Sequence, residues 1–224
     1  MKKIIALMLV AVIMVMTLTS CDLIDKLLGK DSGETRYTIT AEEWDSLNSI
    51  TNYTCRNVGS NTMSFNGDST TYSSDNTIKV TESSYYQKNI GTNYDGEYTT
   101  ETYHAIKDGV EYSLSKQEDG TYIGLVSQYN NIYSLGEYID CSVAFEELTY
   151  DEATHAYTFT ENQDGMELQY NFYFENGTLV KIVGIGSGEM PMGEGISYHM
   201  EIEATMTISN IGTTVVEVPE FTVQ

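Results

Sequence analysis

The chain is poor in the residues that most often announce a function. Of 224 residues, 11 are Lys or Arg against 33 Asp or Glu, and there are only three His, three Cys and two Pro. So few basic residues exclude nucleic acid as a partner, because binding a phosphate backbone requires clustered Lys and Arg to displace its counterions. His104, His155 and His199 stand in separate segments without metal-ligand spacing, so no metal site is expected. Pro191 and Pro219 form no rigid linker, and no composition break or charge block divides 38–224, which reads as one domain. Long apolar runs are also missing: the longest, Ile4 to Leu18, falls short of the roughly 20 residues a membrane-spanning helix needs.

That run has a different use. Lys2 and Lys3 precede it, and Leu18-Thr19-Ser20-Cys21 ends it, in the order of a secretory signal peptide. The four closing residues resemble the lipobox of bacterial lipoproteins, in which the cysteine is diacylated, the segment before it is cleaved, and the new N-terminus is acylated. The resemblance implies a signal peptide over 1–20, lipid attachment at Cys21, and a protein exported and anchored to the outer face of the cytoplasmic membrane. Residues 21–37, with Gly29, Ser32 and Gly33, read as a polar tether. Loss of residues 1–20 removes two lysines and no acid, leaving 9 basic against 33 acidic residues, a net charge of −24. Such a domain is repelled by anionic headgroups, so the lipid would be its only hold on the membrane. A monomer is expected.

What is abundant points to β-structure. Eighteen tyrosines and many threonines suit a pleated, half-buried surface. Six turn dipeptides punctuate the chain: Asn66-Gly67, Asp95-Gly96, Asp108-Gly109, Asp119-Gly120, Asp164-Gly165 and Asn176-Gly177. Each predicts a tight hairpin, and together they predict an antiparallel meander. Met166, Leu168, Tyr170, Phe172 and Phe174 alternate with polar or smaller residues, as do Tyr198, Met200, Ile202, Ala204, Met206 and Ile208. Alternation of this kind gives each strand one apolar face. The second run would extend about 36 Å, the length of strands in curved sheets and barrels. At Asn176-Gly177 a three-residue loop is expected, because a two-residue loop would set Lys181 opposite Phe172 on the apolar face.

Two helices are expected to cover that face. Thr40 and Glu43 form a capping-box pattern ahead of Trp44 and Leu47, predicting a helix that ends near Ile50. A weaker pattern of Val126, Tyr129, Ile132 and Tyr133 predicts another over 126–135. The fold class is thus mainly β (α+β): a single long, curved antiparallel sheet, a half-open barrel, with one or two helices over it.

The lipobox, the Glu43-Trp44 helix, the Phe145-Glu146-Glu147-Leu148-Thr149-Tyr150-Asp151-Glu152 stretch, the hairpin from Phe174 to Ile182 and the ending Ile211-Gly212-Thr213-Thr214 with Val218-Pro219 resemble small lipoproteins of Firmicutes. These are similar to the LolA/LppX-like group of lipoprotein and lipid carriers. The resemblance implies a cavity between sheet and helices that accepts acyl chains. Trp44, Leu168, Tyr170, Phe172, Met200, Ile202 and Met206 are the candidate lining for such a hydrophobic small molecule or lipid. The competing reading is an interaction module with a solidly packed core, binding a protein or glycan through surface tyrosines.

Signals for catalysis are absent. Ser187 lacks the flanking glycines of a nucleophile elbow, and the glycines from Gly184 to Gly195 fail the phosphate-loop pattern at Glu189. They read instead as a hairpin loop around Met190-Pro191-Met192, with a flexible cavity lip as the functional alternative. No catalytic residue and no cofactor are expected. An oxidising compartment would allow Cys55 and Cys141 to pair, while two buried thiols fit the sequence equally well.

Overall fold

A computed structural model describes residues 35–93, 95–128, 132–139, 143–163, 165–193 and 196–224. The expected signal peptide over 1–20, Cys21 and most of the tether lie outside these residues, as does Cys141. Arg36 and Tyr37, the end of the expected tether, are docked. The Arg36 N–H donates to Asn176 Oδ1 (3.0 Å), and Tyr37 stacks on His155 with ring centroids 4.3 Å apart.

Twelve strands form one sheet in the order β12-β6-β5-β4-β3-β2-β1-β11-β10-β9-β8-β7. They are β1 (Tyr53–Phe65), β2 (Asp68–Thr81), β3 (Ser84–Asn93), β4 (Gly96–Lys107), β5 (Val110–Lys116), β6 (Tyr122–Val126), β7 (Thr149–Asp151), β8 (Ala156–Gln163), β9 (Met166–Glu175), β10 (Thr178–Gly193), β11 (Ile196–Ser209) and β12 (Phe221–Val223). Every pairing is antiparallel except β12 with β6, which is parallel. The sheet is open and curved, as the alternation predicts. All six glycines of the Asx-Gly dipeptides take positive φ, at or beside the junction of two sequence-adjacent strands.

The hairpin at Asn176-Gly177 differs from expectation in its means. Glu175 pairs with Thr178, so the loop has two residues, with φ of 51° and 82° as a type I′ turn demands. A bulge at Val180 then restores the register: Leu179 faces Phe174, Ile182 faces Phe172, and Lys181 turns to the other face, its Nζ 3.8 Å from the Tyr173 ring centroid.

The glycines from Gly184 to Gly193 are not a loop; they lie within β10. Gly184, Gly186 and Gly188 face Tyr170, Leu168 and Met166 of β9. A Cβ on Gly186 would stand 2.5 Å from Leu168 Cδ2, so the missing side chain makes room for a larger neighbour.

The first helix forms where the capping box predicts. α1 (Ala41–Asp45) continues as a 3-10 turn (Ser46–Ser49), and both halves of the Thr40–Glu43 box are made. Arg36 clamps the same carboxylate, with Nη1 2.8 Å from Glu43 Oε2. The second helix does not occupy 126–135. Val126 ends β6, and α2 (Leu135–Tyr138) starts only after Ser134, whose side chain and Glu137 form another capping box. The Leu135 N–H donates to Ile50 O (2.7 Å), tying α2 to the end of the first helical segment. Trp44, Leu47 and Leu135 from these segments are buried against Tyr53, Cys55, Ile78, Val80, Phe172, Phe174 and Leu179 of the sheet. This sheet face is termed inner.

After β11 the chain crosses the outer face as a strap. Asn52 fixes its start by accepting from Thr214 N (2.8 Å) and donating to Thr214 O (3.1 Å), and β12 fixes its end against β6.

Candidate functional site

Side chains pointing inward fall into rows across adjacent strands. One row runs Tyr157 (β8), Phe172 (β9), Ile182 (β10), Met206 (β11), Asn57 (β1), Asn76 (β2) and Asn89 (β3). It changes character abruptly between Met206 and Asn57, from apolar to carboxamide.

On the apolar side lies a pocket of about 260 Å³ between the sheet and the segment around α2. Phe159, Tyr170, Phe172, Ile182 and Met206 line it from the sheet, Tyr138, Ile139 and Val143 line it from the opposite side, and Glu161 adds one carboxylate. A cavity of about 150 Å³ lined by aliphatic and aromatic groups is enough to stay dry and bind benzene. The larger space here accommodates a short alkyl or aromatic group, which fits the chemistry of an apolar ligand rather than a metal or an anion.

The structure brings together part of the lining expected from sequence. Tyr170, Phe172 and Met206 meet in the pocket. Trp44 is buried one layer behind, its ring edge-on to Phe172 at 5.1 Å, and its indole N–H donates to Val143 O (3.0 Å), holding the far wall. Leu168, Ile202 and Met200 are half-buried on the same face and continue it beyond the pocket. Phe159, Ile182, Tyr138, Ile139 and Val143 were not anticipated. Phe159 is visible in the alternation Tyr157, Phe159, Glu161, whereas Ile139 and Val143 belong to irregular chain with no periodic signal.

The titratable groups nearest the core are tuned by burial. Desolvation pushes the Cys55 thiol up to about 12, so it is held neutral, and Tyr53 and Tyr138 are raised for the same reason. Cys55 is buried with a free thiol; its possible partner Cys141 is outside the described residues. Burial also lowers the His104 pKa, against the opposing pull of Glu111, whose Oε1 lies 3.2 Å from His104 Nδ1 without the alignment of a hydrogen bond.

The outer face carries two other arrangements of polar side chains. Ser187 Oγ lies 3.3 Å from His199 Nε2, and His199 Nδ1 lies 3.3 Å from Glu189 Oε1, the order of a serine triad. All three are solvent-accessible on paired strands, and among the described residues the neighbouring backbone groups are committed to the β10–β11 ladder and are not free as oxyanion donors. A larger groove of about 400 Å³ separates the strap from Lys79, Tyr86 and Tyr103, but it is polar, with Glu217 among its walls. Among the described residues no cluster of His, Cys, Asp and Glu could hold a metal ion, and no helix is long and apolar enough to cross a membrane.

No family model and no curated protein matches the chain. Solved structures similar to this chain include an S-type phycobiliprotein lyase from Guillardia theta, at 10% identity over 77% of this chain and 94% of that one, with a TM-score of 0.29. A DUF1329 family protein from Desulfovibrio piger follows at 9% identity, 80% and 92% coverage and a TM-score of 0.25. A LolA superfamily protein from Nitrosomonas europaea has 10% identity, 81% and 96% coverage and a TM-score of 0.19. At such scores these likenesses carry no weight for function.

Proposed function

We propose that this chain is a non-enzymatic binder of a hydrophobic or lipidic ligand, exported and held at the membrane through a lipid on Cys21. One observation carries the reading: the apolar pocket of about 260 Å³ left between sheet and α2, where a solidly packed core would have filled the space. The continuation of the inner face through Leu168, Ile202 and Met200 supports it, because these soft, half-buried groups extend an apolar track away from the pocket. A ligand longer than the pocket would lie along that track. Among the described residues lining the pocket Glu161 is the only charged one, so recognition by them is of shape and apolarity.

The test is mass spectrometry of the protein purified under native conditions, paired with titration of an environment-sensitive apolar fluorophore. Co-purified lipid, or saturable probe binding displaced by a fatty acyl chain, is the expected outcome. Neither lipid nor saturable binding would overturn the reading. Export and lipidation are checked separately: Cys21→Ser should abolish the acyl mass increment and release the protein from the membrane fraction.

A further inference from the structure

To shape and apolarity the pocket between sheet and α2 adds one charge. Along β8 the inward residues run Tyr157, Phe159 and Glu161, so the strand presents two rings and then a carboxylate. Phe159 pairs with Tyr170 across the strands, and Phe172 and Tyr138 bring two more rings to the pocket walls. Glu161 is half-buried, and among the described residues no donor pairs with its carboxylate. Residues 35–224 contain seven Lys or Arg, and none of them lines the pocket. Arg36 is committed to Glu43, and the register of the sheet turns the other six, Arg56, Lys79, Lys88, Lys107, Lys116 and Lys181, to the outer face. The inner face of the sheet therefore carries acids, Glu161 here and Glu111 beside His104, without any Lys or Arg to oppose them.

We infer that the pocket takes hydrophobic amines: an alkyl or aromatic group buried among the rings, with its ammonium at Glu161, in preference to a carboxylate or phosphate on the same tail. The inference rests on the apolar-ligand reading above and adds to it the sign of the head. Three effects act in one direction. The Glu161 carboxylate has its acceptor capacity unused, and it gives an ammonium a charge-assisted hydrogen bond stronger than the one a neutral head receives. The faces of Phe and Tyr rings carry the negative part of the ring quadrupole, which attracts a cation and disfavours an anion. An anionic head would give up water beside a carboxylate with no Lys or Arg to replace it, in a chain whose net charge is −22. An uncharged head gains little from any of the three and falls between.

The test titrates the full chain with three compounds that share one tail, octylamine, 1-octanol and octanoate, at pH 7 and below any micelle concentration, with affinity read by calorimetry. Octylamine, protonated at that pH, is expected to bind at least tenfold more tightly than octanol, and octanoate more weakly than both. Glu161→Gln should bring octylamine to the affinity of octanol while octanol binds as before, which also shows that the variant is folded. Glu118→Gln, in the turn between β5 and β6 on the other flank of the sheet, removes the same charge and should leave the preference intact. A preference that survives Glu161→Gln, or that Glu118→Gln removes equally, would overturn the inference, since net charge alone would then account for it. Equal affinity for all three compounds, or tighter binding of octanoate, would also overturn it and leave the apolar reading standing. Binding of none of them would overturn both.

Discussion

One row of paired residues across the inner face changes from apolar side chains on β8–β11 to carboxamides on β1–β3, and the two parts of that row obey different energetics. From Phe172 through Ile182 to Met206, burial removes hydrocarbon from water, and stability follows area and packing. From Asn57 through Asn76 to Asn89, burial costs free energy unless each amide finds a partner. Asn76 does find one, because its Oδ1 accepts from Gln87 Nε2 (3.1 Å), whereas the oxygens of Asn57 and Asn89 do not. The contrast implies that the first part of the row stabilises the fold, while the second carries buried acceptors that no protein donor meets.

The contrast can be broken most directly by truncation on the apolar side. Phe172→Ala removes the ring that Trp44 meets edge-on and that separates the core from the pocket. A loss of about 3–5 kcal/mol in denaturant unfolding is expected. A loss below about 1 kcal/mol would mean that the apolar side does not carry the fold. Next in size, Met206→Trp should fill the pocket and lower apolar-probe affinity at least tenfold, about 1.4 kcal/mol, measured by fluorescence titration. On the carboxamide side the sign should reverse. Asn57→Leu should leave stability unchanged or raise it by up to about 1 kcal/mol, since it deletes an unmet acceptor, while Asn76→Leu should cost about 1 kcal/mol by stranding Gln87. Equal losses from both would dissolve the distinction.

The smallest effect concerns the helix that roofs the apolar side. Hydrogen bonds from the Arg36 guanidinium, and then from the Thr40 backbone, hold the Glu43 carboxyl at about 2, below its ordinary value. A carboxyl depressed by folding stabilises the fold above its unfolded value, about 4.3, and that contribution fades as pH falls towards 2. The melting temperature should therefore drop less between pH 5 and 2 in Glu43→Gln than in the parent chain. Identical pH profiles would show that the clamp contributes nothing to stability.

Much of the apolar region was legible because it obeys simple periods. The alternation in β9 and β11, the glycines of the Asx-Gly turns and the Thr40–Glu43 capping box each encode local geometry, and each appears where the pattern puts it. The glycines of β10 misled because glycine signals a turn only when its own φ requires one; Gly186 is present to clear Leu168. The position of α2 was available in Ser134-Leu135-Gly136-Glu137, a capping box that the weaker periodicity before it obscured. The carboxamide row was not legible. Asn57, Asn76 and Asn89 lie in three segments that read as polar strands, and only the register of β1, β2 and β3 sets them side by side. Nor does period-2 alternation reveal whether the space above a strand holds a helix, a pocket or solvent.

The strap has a further consequence, for the behaviour of many copies together. An open sheet ends in two edges, and an edge with unpaired backbone groups invites another chain to add to it. Here the flanking strands β7 and β12 are each three residues long. By carrying its last residues across the outer face to lie parallel on β6, the chain covers the longer β6 with its own terminus. Deleting 218–224 would leave the strands of the inner face in place and expose a template for edge-to-edge growth, so loss of the terminus should appear first as aggregation, ahead of any loss of binding.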